Sequence, residues 1–279
     1  MTNPSLKNLE SHFSFGENWS SFSQLANEER LASAVQDLVK LFGEQGVAGK
    51  RFLDIGCGSG LHSAAAARLG AKEIVAVDID PKSVETTQKM LARFVPQTPA
   101  SVFTQSVFDL DPSQVGQFDI VYSWGVLHHT GDMYGAIDKA CKFVQPGGLL
   151  MLALYRKTWC CPLWKLEKKW YSKASPAQQK AASDAYIKFM KLRFRIKGRD
   201  FGTFVSDFHQ KRGMSFEHDV HDWLGGYPYE SISPKEIDTF LKNHGFSLVT
   251  GFFKKRRKIG LMGSGCDSYV YRLTDHPAR

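Results

Sequence analysis

The sequence is poor in cysteine and has no long apolar run. Its five cysteines are an odd number and form no CxxC pair, which argues against a disulfide framework and a structural zinc site. The longest apolar run worth noting, Leu149 to Tyr155, is too short to cross a bilayer. The N-terminus lacks the basic start and apolar block of a secretory signal. We therefore expect a cytoplasmic protein with no transmembrane segment and at most peripheral membrane contact.

The charge of the chain is unevenly distributed. The 279 residues carry a net charge of +8, with 43% hydrophobic and 23% charged residues, an ordinary globular balance. Residues 156–212 contain fifteen Lys or Arg and only four Asp or Glu, and KKRRK at 254–258 adds five more positive charges. The rest of the chain is therefore net negative, so any anionic partner is expected at these two segments.

Short apolar strands alternate with helices over the first half of the chain. Strands are predicted at 51–55, 73–78, 101–106, 118–124 and 149–155, with helices at 61–70, 81–94 and 132–144 between them. This alternation is typical of a parallel sheet built from βαβ units. We expect an N-terminal helical arm (1–49), an α/β core (50–155 and 233–275) and a basic helical insertion after the fifth strand (156–232).

A glycine-rich loop follows the first predicted strand. It reads Asp54-Ile-Gly56-Cys-Gly58-Ser-Gly60 and opens the next helix. Glycines let a backbone approach a ligand closely, and a helix N-terminus offers free N–H groups. Asp78 ends the second strand, where a carboxylate can accept hydrogen bonds from a ribose diol. The spacing G-x-G-x-G differs from the dinucleotide fingerprint G-x-G-x-x-G.

Four separated segments carry a family resemblance. DIGCGSG, VAVDIDP, FDIVYSWGVLHHT and PGGLLMLALY, in this order and spacing, resemble class I S-adenosylmethionine-dependent methyltransferases, and most closely the small-molecule enzymes of the ubiquinone-biosynthesis type. The resemblance is strong over 50–155 and weaker over the closing helix and two strands. It implies a doubly wound, seven-stranded, mostly parallel Rossmann-like sheet.

The resemblance also implies a role for individual residues around S-adenosylmethionine. The glycine loop and Asp54 would surround its methionyl part, although the residues by themselves also suggest that Asp54 caps the N–H groups of the loop. Asp78 would hold the ribose hydroxyls. Serine stands after the third strand where the family often has aspartate, so the adenine contact departs from the pattern. The implied cofactor-binding residues are Asp54, Gly56, Gly58, Gly60, Asp78, Ile79, Ser106, Val107, Ser123 and Trp124.

Two adjacent histidines follow the fourth strand. His128 and His129 precede a helix at the carboxyl edge of the sheet, where ligands of α/β proteins bind. One of them is a candidate general base for an acidic O–H or N–H group of the acceptor. The alternative is that the segment LHHT only orders the loop and caps the helix that follows.

A second histidine pair lies near the end of the basic insertion. His218 and His221, three residues apart on a helix, could bind a metal with a carboxylate, but no third ligand has a comparable spacing, so we expect no metal site. The family often places a substrate-facing insertion here. The candidate substrate residues are Tyr155, His218, His221, Trp223, Tyr227 and Tyr229.

The expected reaction is methyl transfer from S-adenosylmethionine to a small-molecule or lipid-linked acceptor, mainly by in-line positioning, with release of S-adenosylhomocysteine. Two alternatives remain open. The basic insertion and Lys254–Lys258 would suit a tRNA or rRNA methyltransferase, although the segment after strand four reads SWGV and lacks the D/N/S-P-P-Y/F motif of base-amino enzymes. A binding protein that keeps the cofactor pocket without catalysis is the other.

Overall fold

The computed structural model describes residues 26–212, 216–253 and 265–274, and these contain one seven-stranded sheet. The strand order is β3-β2-β1-β4-β5-β7-β6. Strands β1 to β5 pair in parallel, and β7 runs antiparallel to both β5 and β6. The strands are β1 (Arg51–Ile55), β2 (Glu73–Asp78), β3 (Ala100–Thr104), β4 (Phe118–Trp124), β5 (Val144–Tyr155), β6 (Phe246–Phe252) and β7 (Cys266–Leu273).

Helices connect the strands and cover both faces of the sheet, which confirms the predicted doubly wound architecture. Those of the described chain, numbered in order, are α1 (Glu28–Phe42), α2 (Leu61–Arg68), α3 (Pro81–Phe94), α4 (Pro112–Val115), α5 (Met133–Cys141), α6 (Cys161–Tyr171), α7 (Pro176–Ile196), α8 (Phe201–Arg212), α9 (Phe216–Gly225) and α10 (Pro234–Asn243).

Two strand boundaries differ from the sequence-based expectation. Strand β3 ends at Thr104, so Ser106 lies in the loop beyond it. Strand β5 begins at Val144, before the predicted start at 149, and continues through the Pro-Gly-Gly segment. The pairing with β4 shifts between Val144 and Leu149, so the segment forms a bulge in which Gly147 takes a φ of +74°.

The central strands are apolar on both faces because both faces are covered. In β1, Phe52 packs with the cluster that includes Leu38 of α1, and Leu53 packs with the cluster that includes Ile137 of α5. Both side chains are fully buried. This continuous apolar pattern is what a parallel sheet with helices on two sides requires. Of the predicted N-terminal arm, α1 belongs to this core, and residues 1–25 lie outside the described residues.

Four helices, α6 to α9, lie between β5 and α10. They share a small apolar cluster of their own, in which Tyr171 of α6 packs with Phe216, Val220 and Leu224 of α9. The strand order reverses between β1 and β4, and in such sheets ligands bind outside the carboxyl ends of the strands at the reversal. No helix in the described ranges is both long and apolar enough to span a bilayer.

Candidate active site

A cavity of about 1850 Å³ opens at the carboxyl edge of the sheet, where the strand order reverses. The glycine loop forms its floor. The N–H groups of Gly56 and Cys57 both donate to the carbonyl of Val77, which fixes the loop against β2. A side chain at Gly56, which has a φ of +79°, would lie 2.4 Å from Val126, so only glycine fits there.

Two carboxylates stand beside this loop, the buried Asp54 and the partly buried Asp78. Asp54 is 3% exposed, and the hydroxyl of Ser63 donates to its Oδ2 at 2.6 Å. Burial raises the pKa of Asp54 to about 7; the bond from Ser63 opposes the rise, and the negative charge of Asp78 adds to it. Burial also raises the pKa of Asp78 to about 6. The ionised form of a carboxyl group shielded from water is unfavourable, and a ligand that brings a positive charge or hydroxyl groups would stabilise it.

The carboxylate that caps the glycine loop is Asp78, not Asp54. Asp78 Oδ2 accepts from the N–H of Gly58 at 3.0 Å, and its Oδ1 accepts from the N–H of Asp80 at 2.9 Å. The interpretation that Asp54 caps the loop was wrong, because Asp54 instead accepts a hydrogen bond from Ser63, in the first turn of α2. Asp78 thereby orders the loop from the end of β2.

Most of the predicted cofactor residues line this cavity. Ile79 follows β2, and Ser106 and Val107 follow β3, so two neighbouring strand ends contribute to the lining. Ser106 Oγ accepts from the N–H of Phe108 at 3.3 Å. Gly60 is not part of the lining; a Cβ there would meet Thr87 at 2.8 Å, so it allows α2 and α3 to approach. The predicted residues in the lining are Asp54, Gly56, Gly58, Asp78, Ile79, Ser106, Val107 and Trp124.

The end of β4 presents Tyr122 and Trp124 to the cavity, whereas Ser123 faces away. Ser123 is buried and its hydroxyl donates to the carbonyl of Ile55 at 3.0 Å, so it joins two strands. Successive residues of a strand point to opposite faces, which explains why only one of Ser123 and Trp124 lines the cavity. The same alternation could have indicated Tyr122. Its hydroxyl is buried without a hydrogen-bond partner in the described chain.

The two histidines lie in a 3₁₀ turn, Leu127–His129, and differ in their surroundings. Both line the cavity. His129 Nδ1 lies 2.7 Å from the carbonyl of Pro228, which ties it to the loop after α9. His128 is fully buried, and neither of its ring nitrogens has a hydrogen-bond partner among the described residues. Helix α5 is capped by Asp132, which accepts from the N–H of Gly135, and not by a histidine.

His128 is held as a neutral imidazole. Burial lowers its pKa well below the ordinary value of 6.5, and the positive charges of His129 and Lys168 add to the shift. A neutral imidazole keeps a lone pair on one ring nitrogen and can accept a proton there.

An aromatic wall faces these histidines. The ring of Tyr155 lies 4.0 Å from that of His128 and 5.6 Å from that of Trp223, measured between centroids. Trp223 in turn contacts Trp164 of α6 at 5.3 Å. Tyr155, Trp164 and Trp223 line the cavity together with Arg193, Asp219 and Asp222.

The other predicted substrate residues lie outside the cavity lining. Tyr229 packs on Tyr155 at 5.2 Å and its hydroxyl donates to Cys161 Sγ, while Tyr227 is buried. His221 Nδ1 lies 2.6 Å from the hydroxyl of Tyr171. None of these three residues is part of the described cavity lining. The side chain of His218 and the whole of Lys254–Lys258 lie outside the described residues.

Sequence reasoning missed a buried lysine behind the wall. Lys168 of α6 is fully buried, its Nζ lies 3.6 Å from the ring centroid of Trp223, and it donates to the carbonyl of the same residue. Burial lowers the pKa of Lys168, and the charge of Glu167, 3.9 Å away, opposes this. Lys168 therefore links α6 to α9. In the sequence, Lys168 is one of several lysines of a basic helix, so no local pattern distinguished it as a buried residue that links two helices.

Comparison with known proteins identifies the family. A family model described as a methyltransferase domain matches residues 27–250. The chain belongs to the class I S-adenosylmethionine-dependent methyltransferases. Enzymes of this family use S-adenosylmethionine as the methyl donor. The lining fits that cofactor, because two desolvated carboxylates suit its cationic groups and ribose hydroxyls and the buried Tyr122 hydroxyl has no described partner.

Curated relatives cover part of this methyltransferase. Over 112 residues, the chain is 37% identical to a ubiquinone biosynthesis O-methyltransferase of Xanthomonas oryzae pv. oryzae. This match covers 40% of this chain and 46% of that protein. A protein of the same name from Xanthomonas axonopodis pv. citri is 38% identical over 111 residues, 40% of this chain and 45% of the relative. The match thus spans about half the length of these relatives.

Solved structures share the fold at low identity. Magnesium protoporphyrin IX methyltransferase from Synechocystis PCC 6803 with bound SAH has a TM-score of 0.53 and 16% identity, over 88% of this chain and 84% of that one. The 1,6-didemethyltoxoflavin-N1-methyltransferase of Burkholderia thailandensis has a TM-score of 0.50 and 15% identity, over 89% and 80% of the two chains. These likenesses support the fold of the methyltransferase and not a particular acceptor.

Proposed function

We propose that this methyltransferase acts on a small-molecule or lipid-linked acceptor and that His128 accepts the proton of the attacking group. The observation that carries the proposal is a fully buried histidine on the cavity wall, with both ring nitrogens unpartnered among the described residues. A buried polar group without a partner is costly, and such groups in native proteins call for an explanation. A bound acceptor that donates a hydrogen bond to His128 supplies one.

The residues at the strand ends would hold the cofactor. We assign Asp54 and the glycine loop to its methionyl part, Asp78 to the ribose hydroxyls, and Ile79, Ser106 and Val107 to the adenine. Their common position along one cavity wall supports this assignment. When bound, S-adenosylmethionine supplies an electrophilic methyl group on its sulfonium. Trp124 and Tyr122 would flank that end and exclude water from it.

Proton transfer would follow from the position and charge of His128. His128 would take up, on a ring nitrogen, the proton that the acceptor oxygen or nitrogen loses when it is methylated. The low pKa of this histidine keeps that nitrogen unprotonated beforehand. The fixed contact of His129 with Pro228 favours a positioning role for that residue.

The aromatic wall supports a planar or apolar acceptor. Tyr155, Trp164 and Trp223 offer ring faces and edges to the cavity, and aromatic pairs stabilise one another beyond the area they bury. The name of the curated relatives supports an oxygen atom as the methylated position. We place Tyr229, Tyr227 and His221 behind the wall, where they hold it.

Labelled transfer with fractionated extract tests this function. The protein is incubated with methyl-labelled S-adenosylmethionine and cell extract separated into RNA, lipid and small-metabolite fractions. We expect label in the lipid or small-metabolite fraction, in amounts that fall with His128→Ala but not with Lys72→Gln, an exposed site outside the cavity lining. Label confined to RNA would contradict the proposal in favour of the nucleic-acid alternative. Cofactor binding without transfer to any fraction would favour a non-catalytic binding protein.

A further inference from the structure

The outward face of α6 carries an apolar stripe. Leu163, Leu166 and Trp170, at positions i, i+3 and i+7, are 58%, 66% and 50% exposed. The opposite face, with Cys161, Lys168 and Tyr171, is buried. A helix of a globular protein normally turns its apolar stripe inward, so α6 has a second apolar stripe that the described chain does not cover.

Helix α7 repeats the pattern. Phe189, Leu192 and Ile196 have the same i, i+3, i+7 spacing and are 53%, 55% and 78% exposed. On the inward side of this helix, Tyr186 and Met190 line the cavity. Six large apolar side chains on two helices that are consecutive in the chain are therefore exposed, and exposed apolar side chains in such number mark a candidate interaction surface.

Basic side chains flank both stripes. Lys165 and Lys169 lie beside the stripe of α6, and Lys188 and Arg195 lie beside that of α7, all of them exposed. They belong to the segment 156–212, whose fifteen Lys or Arg outnumber its four Asp or Glu. Apolar residues bordered by Lys and Arg are the pattern of helices that lie in the interface of a membrane.

We propose that the outward faces of α6 and α7 bind the surface of an anionic phospholipid bilayer. The two apolar stripes enter the boundary between headgroups and acyl chains, and the flanking Lys and Arg contact lipid phosphates. Nucleic acid fits less well, because its phosphates would engage only the basic side chains and leave the six apolar ones in water. The inward faces remain part of the cavity wall in this arrangement.

Vesicle sedimentation of the full chain tests the proposal without any turnover. We expect the protein to bind vesicles of phosphatidylcholine mixed with phosphatidylglycerol and to bind those of phosphatidylcholine alone far more weakly. Each Lys or Arg near an anionic surface contributes about fivefold, so Lys165→Gln/Lys169→Gln should weaken binding roughly 10- to 30-fold. The matched control is Lys72→Gln/Lys235→Gln, which removes two exposed lysines elsewhere and should have little effect.

The apolar stripes are tested by Leu166→Gln/Leu192→Gln/Ile196→Gln. Removing three side chains that enter the bilayer should weaken binding at least about tenfold even when the basic residues are intact. Val249→Thr, at a 51% exposed site on β6, is the control. These residues are exposed, so the far-ultraviolet circular dichroism and thermal unfolding of the variants should match wild type.

Three results would overturn the proposal. One is no binding of the wild type to mixed vesicles at low salt. Another is unchanged binding of the apolar triple variant, because the surface would then be purely electrostatic. The third is a dimer in sedimentation velocity that the apolar variant dissociates, with no vesicle binding, because a second copy of the chain would then be the occupant. The proposal does not depend on the proposed acceptor, since vesicle binding is measured without cofactor and without turnover.

Discussion

The two sides of the cavity are built in different ways. The side that we assign to the cofactor consists of consecutive strand ends, a glycine loop fixed by backbone hydrogen bonds, the buried carboxylate of Asp54 and the partly buried carboxylate of Asp78. The side that we assign to the acceptor is assembled from side chains that are distant in sequence, such as His128, Trp164 and Trp223. The first side can be nearly complete before a ligand arrives, whereas the second contains a buried histidine that has no described hydrogen-bond partner. Variants should therefore separate cofactor binding from turnover.

The largest expected effect is on turnover in His128→Ala. A general base contributes about 10²–10⁴-fold, so kcat should fall by a factor in this range while the Kd for S-adenosylmethionine is unchanged. In wild type, kcat should stay constant from mildly basic pH down to about 6.5, because the depressed pKa keeps His128 neutral. In His129→Ala, kcat should fall by a smaller factor. Added imidazole should partly restore His128→Ala, and full kcat in that variant would remove His128 from the chemistry.

A second effect concerns the stability of the cofactor side without ligand. The pKa of Asp54 is 3.8 in a model peptide and about 7 when buried, so its carboxyl stabilises the fold below pH 3.8 and this contribution is lost as the pH rises through 7. Asp54→Asn avoids the loss. In urea unfolding without cofactor, the free energy of unfolding of Asp54→Asn should rise relative to that of wild type as the pH increases. The relative gain should reach ~2–4 kcal/mol at about pH 8.

A control separates this electrostatic effect from packing. Asp109→Asn, at an exposed site, should leave the free energy of unfolding unchanged at both acidic and basic pH. A destabilisation of Asp54→Asn that grows with pH would contradict the account, because it would mean that the ionised carboxylate is favourable in the free protein. Asp54→Asn should also bind S-adenosylmethionine more weakly, which would show that the carboxylate that is unfavourable in the free protein contributes to cofactor binding.

Cofactor affinity should depend on pH through Asp78. Its pKa of about 6 means that the free protein must lose a proton before the ribose hydroxyls are bound. Affinity should then fall about tenfold for each pH unit below 6. Titration calorimetry over this range checks the slope, and Asp78→Asn should lack this part of the dependence. A slope in the variant as steep as in wild type would assign it to another group.

The smallest effect is expected on the acceptor side from Lys168→Met. The ammonium over Trp223 and its bond to the Trp223 carbonyl join α6 to α9. A cation–π contact contributes ~0.5–2 kcal/mol, so the KM for the acceptor should rise severalfold, with cofactor Kd unchanged. Lys168→Arg, which keeps the charge, should recover part of the loss. A changed cofactor Kd would show that the two sides are coupled.

Sequence alone predicted the cofactor side better because its signals are local. The bounds of β1, β2 and β4 match the prediction, and Asp78 could be placed because a strand end fixes the position of its last residue. Ser123 shows the limit. Its position was right to one residue, but the alternation of the strand turns it away and presents Tyr122 and Trp124.

The acceptor side could not be predicted at this level because its contacts are long-range. The contact between Lys168 and Trp223 joins residues 55 apart in the chain, and no local pattern encodes it. Tyr227 and Tyr229 are aromatic residues in a loop, which suggested pocket walls, yet both are buried and neither lines the cavity. Only packing decides which aromatic residue faces the cavity and which supports it.

The central claim is that Asp78 and the glycine loop form a cradle for the cofactor whose affinity is set independently of the acceptor side. Calorimetric titration of S-adenosylmethionine into Asp78→Ala tests it most directly. Loss of hydrogen bonds to a charged group costs ~1.5–3 kcal/mol each, so the Kd should rise roughly 10- to 150-fold in a folded variant. An unchanged Kd in a variant with wild-type circular dichroism would contradict the account.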